Sequence, residues 1–303
     1  MHKGENPLKS EYLSAFIAIV GPPNVGKSTL LNRLLGAKVA IVSPRPQTTR
    51  NRILGVCHGD GYQMVFIDTP GIHRTRTPLH RSMVASAQAA FAEVDIIVMM
   101  IDMLRPDDPA AVLILKELKR ANKTALLVIN KIDKGPPEIL LPIIADYSGR
   151  YPFVAVVPAS ALTGKGIGDL MEELKARLRP GPVFFPPDMK TDQSDAFLMA
   201  EMIRERIYLF CRKELPYSSA VTVENIQESQ KNNLMKVSAV IHVESDSQKA
   251  IVIGHQGRMI KKIGQSARRE IENRFGIHVF LDLVVRVEKN WGKDPKALKR
   301  LGY

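Results

Sequence analysis

Gly21, Gly26, Lys27 and Ser28 fall in the spacing Gly-x4-Gly-Lys-Ser within "GPPNVGKS" (21–28), a spacing suited to cradling a chain of phosphates. The glycines let the backbone curl so that successive N–H groups and the start of the next helix face the phosphates. Lys27 supplies a point charge for the outer phosphates, and the Ser28 hydroxyl can ligate magnesium. Pro22, Asn24, Val25 and Thr29 share the cradle.

Further chemistry follows along the chain. In "DTPG" (68–71), Asp68 at a strand end can reach the magnesium through water and Gly71 can offer a backbone N–H to a terminal phosphate, with Thr69 and Pro70 between them. "NKID" (130–133) sets the amide of Asn130 and the carboxylate of Asp133 on either side of Lys131, a pattern suited to a guanine edge. The carboxylate accepts from both the ring N–H and the exocyclic amino group. Adenine has no such donor pair, so the nucleotide expected is GTP rather than ATP. "ASAL" (159–162) can offer the Ala161 N–H to the guanine oxygen, flanked by Ser160 and Leu162.

The elements that must position these groups are strands alternating with helices. "FIAIV", "YQMVFID", "DIIVMMID", "TALLVIN" and "FVAVVPA" read as buried strands of a mostly parallel sheet. Two runs flanking "GDG" add one antiparallel hairpin. The fold class is therefore α/β, a doubly wound domain over 1–180. The proline-rich stretch 181–194 reads as an extended linker separating this site from the rest. Residues 195–303 form a smaller α+β domain with a basic tail: a helix near 196–213, strands near 219–227 and 234–244, a helix from about 258 and a strand ending at 288.

With 303 residues, 45% of them hydrophobic, the chain can build two cores. A net charge of +12 points to polyanionic partners. Within the second segment, residues 249–303 carry 13 Lys and Arg against 5 Asp and Glu, so the surplus is local. Cys57 and Cys211 stand alone, which suits a reducing cytosol and suggests neither a disulfide framework nor a thiolate metal site. The N-terminal stretch lacks the apolar core of a secretory signal, and runs such as "IIVMMI" are too short to span a bilayer.

Gly254-His255-Gln256-Gly257 directly precedes a helix with an apolar stripe of Ile260, Ile263, Ala267, Ile271 and Phe275 and a basic outside of Arg258, Lys261, Lys262, Arg268 and Arg269. Glycines here allow close approach to phosphate. The tail over 290–303 holds Trp291, Lys293, Lys296, Lys299 and Arg300. Two readings of it stand open: a capping helix anchored by Trp291, or a strip giving phosphate contacts with Trp291 stacked on a base.

Taken in order, the four motifs resemble the translation-factor-like GTPases over residues 15–178. That resemblance implies a first switch at "RPQTTR" (45–50), with Thr49, or Thr48 beside it, gripping magnesium. After "DTPG" comes Ile72, where Ras-like GTPases place a water-orienting glutamine. The chain thus resembles the subfamily with a hydrophobic replacement, which implies that Asn24 helps hold a potassium ion. The implied catalytic set is Lys27, Thr49, Gly71 and Asn24, with Ser28, Thr49 and Asp68 as metal ligands. Arg74 and Arg76 fall in the implied second switch, and His73 reads as a solvated loop residue.

The Gly254–Gly257 loop, with two strands before it and one after, resembles the type II K-homology module, whose loop clamps the backbone of RNA. His255, Gln256, Arg258, Lys261, Lys262 and Trp291 join it as expected RNA contacts. The whole arrangement resembles the bacterial ribosome-assembly GTPases. It implies GTP hydrolysis, slow alone and stimulated by potassium and RNA, and binding to the small ribosomal subunit near the 3′ end of its RNA. It also implies a cytoplasmic monomer with peripheral association at the inner membrane. The rival reading is an RNA-binding adaptor with a structural nucleotide site; intact Lys27, Ser28 and Asp68 argue against it. An RNA-modifying enzyme would need a second catalytic centre, which 180–303 do not show.

Overall fold

The strands β1 (Leu13–Val20), β3 (Tyr62–Asp68), β4 (Ile96–Asp102) and β5 (Thr124–Asn130) are aliphatic runs buried on both faces, as expected of a sheet covered by helices on each side. The structure, a computed structural model, describes residues 11–43, 45, 50, 52–68, 93–229 and 233–302. With β2 (Ile53–Gly59) and β6 (Ala155–Pro158), the strands lie in the order β2-β3-β1-β4-β5-β6, all parallel except β2, which pairs antiparallel with β3. The hairpin turns at Gly61, whose φ of 71° suits glycine.

Helices α1 (Lys27–Leu35) and α4 (Ile167–Lys175) cover one face, packing Leu30, Leu31 and Leu170 on Ile17, Phe66 and Leu126. Helices α2 (Pro109–Ala121) and α3 (Leu140–Arg150) cover the other, packing Ile114, Leu118 and Tyr147 on Ala18, Ile97 and Leu127. The strand order reverses at β1, which has β3 on one side and β4 on the other. Such a reversal opens a crevice at the carboxyl ends of the strands, and the 21–28 loop sits there.

A two-residue strand, β7 (Arg179–Pro180), pairs with the start of β1. The stretch after it is extended, as its prolines predict, but it is docked on the first domain and does not stand off from it. Buried Gln63 accepts from the N–H groups of Phe184 and Phe185 at 3.0 and 3.1 Å. Val56 N–H donates to Lys190 O at 2.9 Å, and Thr191 Oγ1 donates to Leu54 O at 2.6 Å. The linker thereby satisfies polar groups along the outer strand β2 that would otherwise form an open edge.

The second domain runs α5 (Asp195–Phe210), β8 (Ser219–Ser229), β9 (Leu234–Val243), α6 (Asp246–Ile253), α7 (Arg258–Phe275), β10 (His278–Val287) and α8 (Pro295–Arg300). Its sheet has the order β10-β9-β8, with β9 antiparallel to β8 and parallel to β10. Ile203 and Ile207 of α5 and Ile263 and Ala267 of α7 pack on Ala239 and Ile241 of β9. The predicted apolar stripe of α7 is the buried one. Helix α6 is an element for which the sequence reading sets no bounds.

The two domains touch directly. Lys38 pairs with Glu205 at 2.7 Å and with Glu270 at 2.8 Å, and Val42 N–H donates to Glu205 Oε1 at 2.8 Å. The linker thus joins two domains that also meet through these contacts. Among the described residues, no helix is long and apolar enough to cross a membrane.

Candidate functional site

The loop between β1 and α1 is shaped by its own side chains. Lys27 is buried, and its Nζ donates to the carbonyls of Gly21 and Pro22 at 3.0 Å each. Burial lowers its pKa to about 8, against a partly offsetting pull from Asp68. An anion arriving here meets an ammonium already aimed by two carbonyls. Gly21 must be glycine because a Cβ would stand 2.7 Å from Met100 O, and Asn24 adopts φ 59°, a conformation asparagine tolerates.

Ser28 Oγ, at the start of α1, donates to Asp68 Oδ2, at the end of β3, at 2.7 Å. A hydroxyl and a buried carboxylate in contact form an oxygen donor set that fits magnesium. Thr29 lines the same cleft, together with Pro23 and Asn24. Pro22 and Val25 contribute through their carbonyls, to Lys27 and to Asn130 respectively.

On the far side of the cleft, Asp133 is exposed and lines the opening together with Lys131, Ser160, Ala161 and Leu162. Lys131 adopts φ 68° and pairs with Asp102 at 2.7 Å. Asn130, whose amide is expected against a guanine edge, lines the same cleft. It is buried, with Nδ2 donating to Val25 O at 2.6 Å and Oδ1 accepting the Ala161 N–H at 2.9 Å. The Ala161 N–H expected to meet the guanine oxygen is engaged by that same side chain. Asn130 therefore ties the phosphate loop to the base loop, and Asp133 stands exposed at the opening. Sequence reading also missed Arg33 of α1, whose Nε donates to Ala161 O at 3.3 Å and whose Nη2 reaches Leu162 O. No motif marks Arg33, because its partners lie over a hundred residues away.

Thr48, Thr49, Thr69, Pro70, Gly71, Ile72, His73, Arg74 and Arg76 lie outside the described residues.

In the second domain the loop Gly254–Gly257 connects α6 to α7. Gly254 has φ 72°, and a Cβ there would stand 2.7 Å from the Met259 Cβ. Gly257 has φ 74° and would present an added Cβ to open space. His255, Gln256, Arg258, Lys261 and Lys262 are exposed around it. Lys262 Nζ sits 4.5 Å from the centre of the Phe210 ring. The loop thus offers a bare backbone edge beside exposed cations.

Trp291 resolves the two readings of the tail in favour of the anchor. It is 1% exposed, its Nε1 donates to Ser218 O at 3.1 Å, and it clusters with Ala220, Ala297, Leu298 and Leu301. Stacking on a base needs an open ring face, which burial removes. Lys293, Lys296 and Lys299 remain exposed on the same tail.

Residues 16–131 match the family described as 50S ribosome-binding GTPase, and residues 214–292 match the KH domain. The chain is 48% identical over 292 residues to the GTPase Era of Syntrophus aciditrophicus, covering 96% of this chain and 95% of that one. It is 46% identical to the GTPase Era of Geobacter metallireducens, covering 99% of each. Among solved structures it resembles a variant of Aquifex aeolicus Era bound to GDP and AlF4−, with a TM-score of 0.92, 40% identity, and coverage of 96% of this chain and 99% of that one. The same values hold for an Era in complex with MgGDPNP and nucleotides 1506–1542 of 16S ribosomal RNA.

Proposed function

We propose, from the premise that the chain belongs to the Era family of GTPases, that it couples GTP binding and hydrolysis in the crevice above β1 to the holding of small-subunit ribosomal RNA by its second domain. The observation that carries this is the buried Lys27 beside the Ser28–Asp68 pair, on the same chain as an open glycine loop flanked by exposed cations.

The residues divide the work. Lys27 sets its charge against the outer phosphates, and Asp133 takes the donor edge of guanine. Ser28 directly, and Asp68 through water, would hold magnesium, which neutralises the phosphate oxygens when bound. Thr49 is assigned to the same ion, and Gly71 to the terminal phosphate through its N–H. With Ile72 unable to orient water, Asn24 is assigned to a potassium ion that offsets charge in the transition state. Hydrolysis then runs faster in potassium than in sodium at equal ionic strength, and Asn24→Ala removes the difference; equal rates in the parent protein would overturn that assignment.

For RNA, a solved Era holds nucleotides 1506–1542 of 16S ribosomal RNA, and the match to that structure supports the same class of ligand here: a single-stranded stretch near the 3′ end, bound during assembly of the small subunit. The test is affinity purification of ribosomal subunits in GDP and in a non-hydrolysable GTP analogue, with single-turnover hydrolysis with and without RNA. Small subunits enriched by the analogue support the reading. Hydrolysis indifferent to RNA, with RNA binding indifferent to nucleotide, would favour the adaptor. The family resemblance also carries a cytoplasmic monomer that touches the inner membrane peripherally; light scattering and co-sedimentation with anionic vesicles test those two properties.

A further inference from the structure

Arg50 belongs to the first domain in sequence, following Thr48 and Thr49 and leading into β2, yet its side chain lies inside the second. It is 6% exposed. Its Nη1 donates to Ser219 O at 2.9 Å, and its Nη2 donates to Pro216 O at 3.0 Å and to Tyr217 O at 2.9 Å. The remaining carbonyl of that run, Ser218 O, accepts from Trp291 Nε1 at 3.1 Å, and the guanidinium lies 5.8 Å from the Trp291 ring centre. Successive carbonyls from 216 to 219 are thus shared between one side chain from the nucleotide domain and one from the C-terminal tail.

This geometry is selective. A planar guanidinium presents its donors in a fixed fork, so several carbonyls are met together or lost together. Bonds near 3.0 Å do not survive a shift of about 1 Å. The other flank of the same stretch is also held by the second domain, since Val42 N–H donates to Glu205 Oε1 at 2.8 Å. Val42 and Arg50, which bracket the expected magnesium threonine in sequence, are therefore both bonded to the RNA-binding domain.

We propose that Arg50 is a positioning residue: seated against Trp291, it makes the docking of the C-terminal tail and the placement of the first switch depend on each other. The inference rests on the reading of the chain as an RNA-coupled GTPase and names the side chain that carries the coupling. Linkage makes the effect reciprocal in binding: whatever the GTP form does to RNA affinity, RNA does to GTP affinity through the same side chain.

The test measures the ratio of RNA affinities in GDP and in a non-hydrolysable GTP analogue, using a synthetic single strand matching the 3′ end of small-subunit RNA, in full-length protein. The parent is expected to show a ratio in the ordinary range for coupled sites, roughly 5- to 150-fold. Arg50→Gln is expected to bring that ratio to within about twofold of unity and to abolish RNA stimulation of kcat, with GDP affinity unchanged. Arg50→Lys keeps the charge without the planar fork, so it carries the test should Arg50→Gln fold poorly; its ratio is expected to fall at least about threefold. Trp291→Phe keeps a ring but loses the bond to Ser218 O, and an intermediate ratio is expected. Retention of the parent ratio by both Arg50 variants overturns the proposal, including where thermal stability drops, since that marks a merely structural residue. A parent ratio of unity overturns the GTPase-switch reading and the Arg50 assignment with it.

Discussion

A Cβ placed on Gly26 would stand 2.4 Å from Nδ2 of Asn130. The phosphate loop and the base loop are therefore built against each other, across more than a hundred residues of chain. Gly26 also holds φ 108°, a conformation that costs other residues of order 1–3 kcal/mol.

Gly26→Ala should disturb both halves of the nucleotide site at once. The methyl group must displace the Asn130 amide from Val25 O or open the loop. Nucleotide affinity is expected to fall by about 5- to 150-fold, the equivalent of that backbone cost. Asn130→Ala acts differently. It leaves Val25 O and the Ala161 N–H buried without their partner, each costing about 1–3 kcal/mol, so the loss should appear in urea denaturation of the nucleotide-free protein as well as in binding. Unchanged stability of Asn130→Ala would refute the brace.

Base choice should rest on Asp133, which stands exposed at the opening. Asp133→Asn replaces a pure acceptor by a group that can donate to the oxygen xanthine carries in place of the guanine amino group. Preference is expected to move from GTP toward xanthosine triphosphate. Competition binding checks this, and a retained GTP preference would count against the assignment.

Lys27 makes nucleotide binding depend on pH. Its pKa in the free protein lies near 8, below the ordinary 10.5, because burial penalises its charge. Between those values the unfolded chain holds more protons, so this group's contribution to stability rises with pH across that window. Nucleotide acts in the opposite sense. Phosphates beside the ammonium favour its charged form, so binding above pH 8 takes up a proton and affinity falls as pH rises, by up to about tenfold per unit. Calorimetry at pH 8.5 in buffers of different ionisation enthalpy reads this uptake. Lys27→Arg, which cannot shed its charge, should bind without it and subtracts any titration of the guanine ring. Equal proton uptake by both proteins would contradict the shifted lysine.

The parts of the site legible in the sequence are those whose partners lie close along the chain. The 21–28 loop, the GxxG turn and the stripe Ile263, Ala267, Ile271 need only a few residues of context, and the turn before each helix and the burial of the stripe follow the sequence. The bonds of Asn130 to Val25 and Ala161 are not legible in its motif, because strand order brings those partners to it and a short pattern does not encode strand order. Trp291 is ambiguous in sequence because burial of a tail residue depends on Ser218 and Ala220 far upstream. The linker's extended form follows from its prolines, whereas its docking on β2 depends on Gln63, a buried polar residue inside a strand. Buried Glu205 of α5, which meets Lys38 and Val42 of the first domain, is marked by no motif, because those partners lie more than 160 residues upstream.

RNA binding should respond differently to each part of the second domain. Gly254→Asp strikes Met259 and would confound packing with charge, whereas Gly257 opens onto empty space, so Gly257→Asp adds mainly negative charge where phosphate must approach. Affinity is expected to collapse for every RNA sequence, with GTP affinity unchanged. Gly257→Asn supplies the control, because asparagine accepts a left-handed backbone without charge; it should retain most of the binding. Lys261→Ala, at an exposed cation, should lower affinity evenly across sequences and flatten the salt dependence by about one unit for each phosphate it had neutralised. Lys262 already rests on the Phe210 ring, so its removal should flatten the slope less. For the tail, deleting 290–303 would strip Trp291 from the core, so the exposed Lys293, Lys296 and Lys299 are the informative positions. Neutralising the three together should reduce the salt slope with thermal stability intact. A slope equal to the parent's in both the Lys261 variant and the tail variant would remove this face from the RNA path.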